Sequence, residues 1–234
     1  MKFLVGERRA VVAAVLAFYG FLYMLLGQMV PPELRAAITA QAVLYGIAFF
    51  GLVAGWFWAR WYASGLGMYG LVTGVFGMFQ LGPEPVLIFL AVTHAILPAF
   101  LAGEGMAAGF DGKQEWRARF HLDDPAVERL GKSITRASMT LPYLIMWALA
   151  PKDGQTLIAT LGPLALGATG LWAIMRLRTW GVLAVAGAGA TLAGAAATAP
   201  GPTSMIALTA AAILAAAAAP FARPIARHLG GAAR

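Results

Sequence analysis

The sequence predicts an all-α polytopic membrane protein with eight transmembrane helices. Three observations carry that reading. Hydrophobic residues make up 60% of the 234 and charged residues only 12%, whereas a soluble domain carries about 25% charge. Eight apolar runs, at 10–27, 36–58, 61–81, 85–103, 134–150, 155–175, 179–199 and 203–222, approach the ~20 residues that cross ~30 Å of hydrocarbon. Third, the basic residues are distributed unevenly between the two sides that these runs define. The runs are long, unbroken and rich in Ala, Leu and Gly, which argues against strands. An open sheet would also leave backbone groups unpaired in lipid.

The first run follows Lys2, Glu7, Arg8 and Arg9. That start looks like a signal peptide, but no small-x-small cleavage site follows, so an uncleaved first helix is expected. With the N-terminus in the cytoplasm, the inner segments hold Lys2, Arg8, Arg9, Arg60, Lys113, Arg117, Arg119, Arg129, Lys132, Arg136, Arg176, Arg178, Arg223, Arg227 and Arg234. Only Arg35 and Lys152 of the 17 Lys and Arg residues fall outside. Membrane proteins carry this bias on their cytoplasmic loops. The fifth run is the weakest, because its uncharged core from Ala137 to Ala150 is short and contains Pro142. Dropping it inverts everything downstream, moves Arg176, Arg178, Arg223, Arg227 and Arg234 outside and Lys152 inside, and weakens the bias to eleven inside and six outside. Eight spans with both termini in the cytoplasm is therefore the expected topology, in a bacterial-type inner membrane.

The chain divides into helices one to four (1–103), a cytoplasmic loop (104–133), helices five to eight (134–222) and a basic tail (223–234). In the loop, Lys113–His121 mixes bases with Trp116 and Phe120 on one helical face, the pattern of a short helix lying in the interface. Asp123-Asp124-Pro125 reads as a capped helix start that runs on into the fifth span. A shift of 119 residues aligns Gly51-Leu52 with Gly170-Leu171, Trp61 with Trp180, Gly70 with Gly189, and Gly82-Pro83 with Gly201-Pro202. Two four-helix units of the same orientation would explain it. So would the general preference of Gly, Trp and Pro for such positions.

The net charge of +7 needs no nucleic acid. Bases beside helices on the anionic leaflet are worth ~1 kcal/mol each as lipid anchors. The expected partners are the bilayer itself, anionic lipid at the cytoplasmic face, and a membrane protein or a second copy. No cofactor is expected. The absence of cysteine excludes disulfides, thioether-bound haem and thiolate metal sites.

His94 is the one ionisable side chain near a bilayer midplane. Such groups are costly in hydrocarbon and tend to serve function. Pro98, one turn on, frees the carbonyl of His94. Thr93 beside it, and Tyr19, Tyr23, Gln41, Tyr45, Tyr69, Thr73, Gln80 and Tyr143 on other helices, would line a polar cavity if their faces converge on it. The plainer reading is a neutral His held by ordinary interhelical hydrogen bonds, worth ~0.6 kcal/mol each. Gly70, Gly74 and Gly77 form one small-residue stripe, and Gly187, Thr191, Gly194 and Thr198 another; both read as helix-packing faces. Gly27 ends a helix and should tolerate bulk better than Gly74 does.

The loop acids, with Asp111, His121 and Asp124 foremost, give a weaker case for a metal site that handles lipid head groups. A solvated loop with a helix cap explains them as well. Asp111-Gly112 and Ala118-Arg119 are similar to pieces of the CDP-alcohol phosphotransferase motif. The spacing differs and the downstream aspartates are missing, which excludes that family. No P-loop, HExxH or usable nucleophile elbow is present. The expected function is a non-enzymatic structural or accessory membrane subunit. The alternatives are a small-molecule or proton-coupled transporter around His94, and a lipid head-group enzyme. Reporter fusions at Gly112 and Asp153 should report opposite sides of the membrane; the same side for both would remove the fifth span.

Overall fold

The computed structural model describes residues 2–111, 123–149, 157–198 and 202–231. Every regular element among them is an α-helix: α1 (Lys2–Met29), α2 (Pro32–Ala54), α3 (Ala59–Leu81), α4 (Pro85–Leu101), α5 (Glu104–Asp111), α6 (Asp124–Leu149), α7 (Leu157–Met175), α8 (Trp180–Thr198) and α9 (Pro202–Gly231). Among the described residues, five helices are long and apolar enough to cross a membrane, namely α1, α2, α7, α8 and α9. A sixth joins them if α4 and α5, which meet at a 76° bend, count as one span. α3 and α6 have spanning length, 23 and 26 residues. Gly, Tyr, Thr and Gln dilute the first, and Glu128, Arg129, Lys132 and Arg136 occupy the start of the second. The chain is an all-helical protein with several candidate membrane spans.

It divides into two compact units, Met1–Leu122 with Leu149–Pro151, and Asp123–Ala148 with Lys152–Arg234. In the first, α1 packs on α2, α2 on α3, α3 on α4, and α4 back on α1. Prolines set the helix starts: Pro32 and Pro85 sit in first turns, where no amide is needed. Gly55, at φ +70, ends α2 in the left-handed conformation that glycine adopts without strain. The α3–α4 pair is unusually close. A Cβ on Gly67 would reach within 2.6 Å of Pro98, one on Gly74 within 2.9 Å of the Ala91 nitrogen, and one on Gly77 within 2.9 Å of Leu87. Glycine at each turn lets the two backbones meet.

The basic residues that open α1 do more than anchor it. Arg8 donates to the carbonyls of Ala99 and Ala102, at 3.1 and 2.8 Å, at the end of α4. Arg9 donates to Leu52 and Val53, at 2.6 and 2.8 Å, at the end of α2, and its guanidinium lies over Phe110 of α5. Cations thus cap two helix C-termini, where orphan carbonyls and the helix dipole both favour them.

In the second unit α8 packs against α7 on one side and α9 on the other. Asp123 caps α6 by accepting the Ala126 amide at 2.7 Å, and Glu128 and Lys132 pair one turn apart. α6 then mends two proline breaks in its neighbours. Pro163 and Pro220 have no amide to offer the carbonyls of Ala159 and Ala216, four residues earlier. The Trp147 indole N–H takes the first at 3.2 Å, and the Arg136 guanidinium takes the second at 2.7 Å.

The small-residue faces differ in part from expectation. In α8 the close approaches belong to Gly181, whose Cβ would lie 2.5 Å from the Gly170 carbonyl, and to Gly189 against α9. Gly194 is exposed with nothing described within 4 Å, and Gly187 touches only Leu166, at 3.6 Å. Gly194 therefore does not pack α8 within its unit, and the buried seam runs through Val185, Ala188, Leu192 and Ala196. Gly27 is also corrected. A Cβ there would lie 2.6 Å from the Thr39 hydroxyl oxygen, so it too is a close approach. The residues 112–122, which hold the expected interfacial helix, lie outside the described residues.

Gly46 has open space where its side chain would go. Gly74→Leu should therefore lower the melting temperature of the purified protein in detergent, by the ~1–3 kcal/mol typical of overpacking, while Gly46→Leu leaves it unchanged. Equal melting of the two would contradict the close α3–α4 contact.

Candidate functional site

The candidate site lies inside the first unit, where all four long helices contribute to one polar cluster. His94 sits in the middle of α4 and is fully buried. Its ring lies flat against α3 at Gly70: a Cβ there would come within 2.0 Å of the imidazole. Glycine at this turn is a steric requirement, because any side chain would displace the ring. From α2, the Tyr45 hydroxyl meets His94 Nε2 at 2.7 Å. From α1, the Tyr19 ring packs on the imidazole with centroids 4.2 Å apart.

The partners fix who donates. His94 Nδ1 lies 2.9 Å from the Leu90 carbonyl, which can only accept, so Nδ1 carries a proton. The apolar runs 10–27, 36–58, 61–81 and 85–103 contain no Asp or Glu to offset a charge, so the ring is neutral and Nε2 bears a lone pair. Tyr45 must then donate to it. Tyr23 is hydrogen-bonded to Tyr45 in turn. With the Tyr45 proton committed to His94, the Tyr23 hydroxyl donates. The chain reads Tyr23 O–H to Tyr45 O–H to His94 Nε2, and His94 Nδ1–H to Leu90.

A second branch obeys the same logic. Thr93 Oγ1 donates its only proton to the Phe89 carbonyl at 2.6 Å. It therefore accepts from Tyr19, also at 2.6 Å. Tyr69 of α3 is hydrogen-bonded to Thr73 one turn on. Tyr45 is the hub: its ring centroid lies 5.6 Å from that of Tyr19 and 5.4 Å from that of Tyr23.

The structure thus brings together His94, Thr93, Tyr19, Tyr23, Tyr45 and Tyr69, with Gln41 buried on the same helix as Tyr45 and one turn before it. Thr73 is exposed and reaches the group only through Tyr69. Gln80 is exposed on the last turn of α3, beyond the cluster, since two further turns separate it from Thr73. Tyr143 belongs to the second unit, where its ring lies against Trp147. Within the first unit, Gln80 thus falls outside the cluster.

Tyr62 is the residue that sequence reasoning passed over. It is 2% exposed, and its hydroxyl has no hydrogen-bond partner among the described residues. Its spacing held the signal: Tyr62, Tyr69 and Thr73 share one face of α3. Asp111 and His121, two thirds of the metal alternative, have no described side chains, and Asp124 stands in the first turn of α6. No group of three His, Asp or Glu residues able to hold a metal occurs among the described residues.

No family model matches the chain, and no curated protein or solved structure is similar to it. The chemistry of the cluster therefore has to be argued from its own geometry.

Tyr45→Phe should strip His94 Nε2 of its donor and leave a buried acceptor unsatisfied, a loss of ~1–3 kcal/mol. Tyr62→Phe removes a hydroxyl that has no described partner and should leave stability equal or higher. Thermal melting of both variants in detergent tests the pair; equal losses would mean the Tyr45 hydrogen bond is not the one that matters.

Proposed function

We propose that this chain is a non-enzymatic integral membrane protein of a bacterial-type inner membrane, acting as a structural or accessory subunit that packs against lipid or a membrane partner. It crosses the bilayer eight times, with both termini in the cytoplasm and anionic lipid at the basic face. The observation that carries this reading is the filled centre of the first unit. The place where a transporter would hold a solute is occupied by the imidazole itself, pressed on Gly70 and hydrogen-bonded through both nitrogens.

The topology has the basic asymmetry behind it, and also the helix count. The first unit holds four long helices and the second holds four. A shift of 119 residues lays α3 on 178–200, against Trp180–Thr198 for α8, and α4 on 204–220, within Pro202–Gly231 for α9. Two pairs of aligned glycines also meet neighbours on corresponding helices. Gly70 faces His94 of α4, and Gly189 faces Ala211 and Leu214 of α9. Gly51 faces Ala59 of α3, and Gly170 faces Gly181 and Val185 of α8. Duplication of a four-helix unit accounts for all of this, and it gives both units the same orientation.

The partner reading draws on the exposed face of α8, where Gly194, Thr191 and Thr198 offer small side chains for close helix approach. Gly194→Leu should leave the melting temperature unchanged and reduce the size of the assembly measured by native mass spectrometry from mild detergent. A wild-type protein that is strictly monomeric there, with the variant identical to it, would overturn the subunit reading.

A further inference from the structure

We propose that the turn between α7 and α8 is a binding site for the phosphate of an anionic phospholipid headgroup, held by Arg176 and Arg178 between Trp172 and Trp180. This deepens the membrane reading above, in which anionic lipid is a partner, and rests on it. It names the place and the groups.

Position is the first argument. Ile158–Met175 and Trp180–Thr198 are both candidate membrane spans, and only residues 176–179 separate them. Four residues that leave a helix end and return reach about 7 Å at most, the depth of one headgroup layer. The level of the turn is therefore set by the two spans it joins. Trp172, 51% exposed, and Trp180, 47% exposed, flank it. Tryptophan favours that level, where its ring is in apolar surroundings and its N–H meets polar ones.

The second argument is that the turn does not need its arginines for its own structure. Its backbone closes the carbonyls at the end of α7. The Arg176 amide donates to Trp172 and Ala173, the Leu177 amide to Ile174 at 2.9 Å, and the Arg178 amide to Ala173 at 2.8 Å. Leu177 turns the chain for this at φ 58, in the left-handed region. Arg8 and Arg9, by contrast, are occupied by such carbonyls at the ends of α4 and α2. Arg178 is exposed, and its guanidinium has no hydrogen bond or ion pair among the described residues. The Arg176 guanidinium lies over the Trp172 ring, 5.2 Å from its centroid. Stacking takes up the face of that group and leaves its in-plane N–H donors open. An arginine held this way can offer two parallel N–H bonds to phosphate oxygens.

Charge is the third. No Asp or Glu follows Asp153, and every base after Lys152 is an arginine. Asp123 and Glu128, on α6, lie against Arg129 and Lys132 of the same helix. The turn thus carries two positive charges that no ion pair among the described residues offsets. A soluble acidic partner would need the turn to stand clear of the bilayer, which four residues cannot do. A lipid phosphate lies at the level where they are.

The test is native mass spectrometry of the full chain from mild detergent, titrated with phosphatidylglycerol or with phosphatidylcholine, whose choline offsets its phosphate. Wild-type protein should bind phosphatidylglycerol more tightly. The double variant Arg176→Gln, Arg178→Gln should bind it roughly tenfold more weakly or worse, since each base near an anionic surface contributes severalfold. Arg178→Gln alone breaks no side-chain contact among the described residues, so it should fold as wild type and still lose part of the affinity. The double variant Arg35→Gln, Lys152→Gln removes the same net charge and should bind as wild type. No preference in wild type, wild-type binding by either Arg178 variant, or an equal loss in the Arg35 and Lys152 variant would overturn the proposal. So would full displacement by an equal concentration of inorganic phosphate, which would make the occupant a free anion. The membrane reading is checked separately by extraction. A chain that needs detergent to leave the membrane but fails these titrations keeps that reading and loses this site, whereas release by an alkaline carbonate wash removes both.

Discussion

Hydrocarbon offers no hydrogen bonds, so every polar group placed in it must find its partner in the protein. That constraint orders most of the contacts in both units. His94 is held by Tyr45 and Leu90, Thr93 by Tyr19 and Phe89. Carbonyls orphaned by helix ends are taken by Arg8 and Arg9, and those orphaned by Pro163 and Pro220 by Trp147 and Arg136. In water each of these groups would have been satisfied by solvent, and the same side chains would contribute little. Removed from water, they determine which helix can lie beside which.

Small residues set how closely the helices can meet, and polar ones set the register at which they meet. The α3–α4 contact needs glycine at 67, 70 and 74, since a Cβ at any of them would overlap α4. Yet glycine alone would let one helix slide along the other. The imidazole removes that freedom, because only at one register does it sit over Gly70 while reaching Tyr45. Packing and hydrogen bonding are thus one device in this unit, and neither is sufficient without the other.

Much of this was legible from the sequence, and the reasons are physical. Helical class follows from length and hydropathy, which act locally. The singular position of His94 was visible because charge is so rare in the spans. The glycines of α3 were visible because their spacing of three and four keeps one face. What could not be read was which face meets which neighbour. Gly194 has the same spacing signal as Gly74 but no described neighbour, and Gly27 looked like a helix end but presses on Thr39. Gln80 shares the chemistry of the cluster but not its position, lying beyond it on α3. Arg8 and Arg9 read as lipid anchors because nothing in a linear chain reveals where another helix will end.

Tyr62 brings these themes together. A phenol buried for packing alone would be better replaced by phenylalanine, which fills nearly the same space without a hydroxyl to satisfy. Tyr62 also lies on the same face of α3 as Tyr69. Ordinary hydrogen bonding explains Tyr19 and Tyr45, whose hydroxyls are consumed by partners on α4. It does not reach Tyr62, whose buried hydroxyl has no partner among the described residues, so its desolvation stands uncompensated by those bonds.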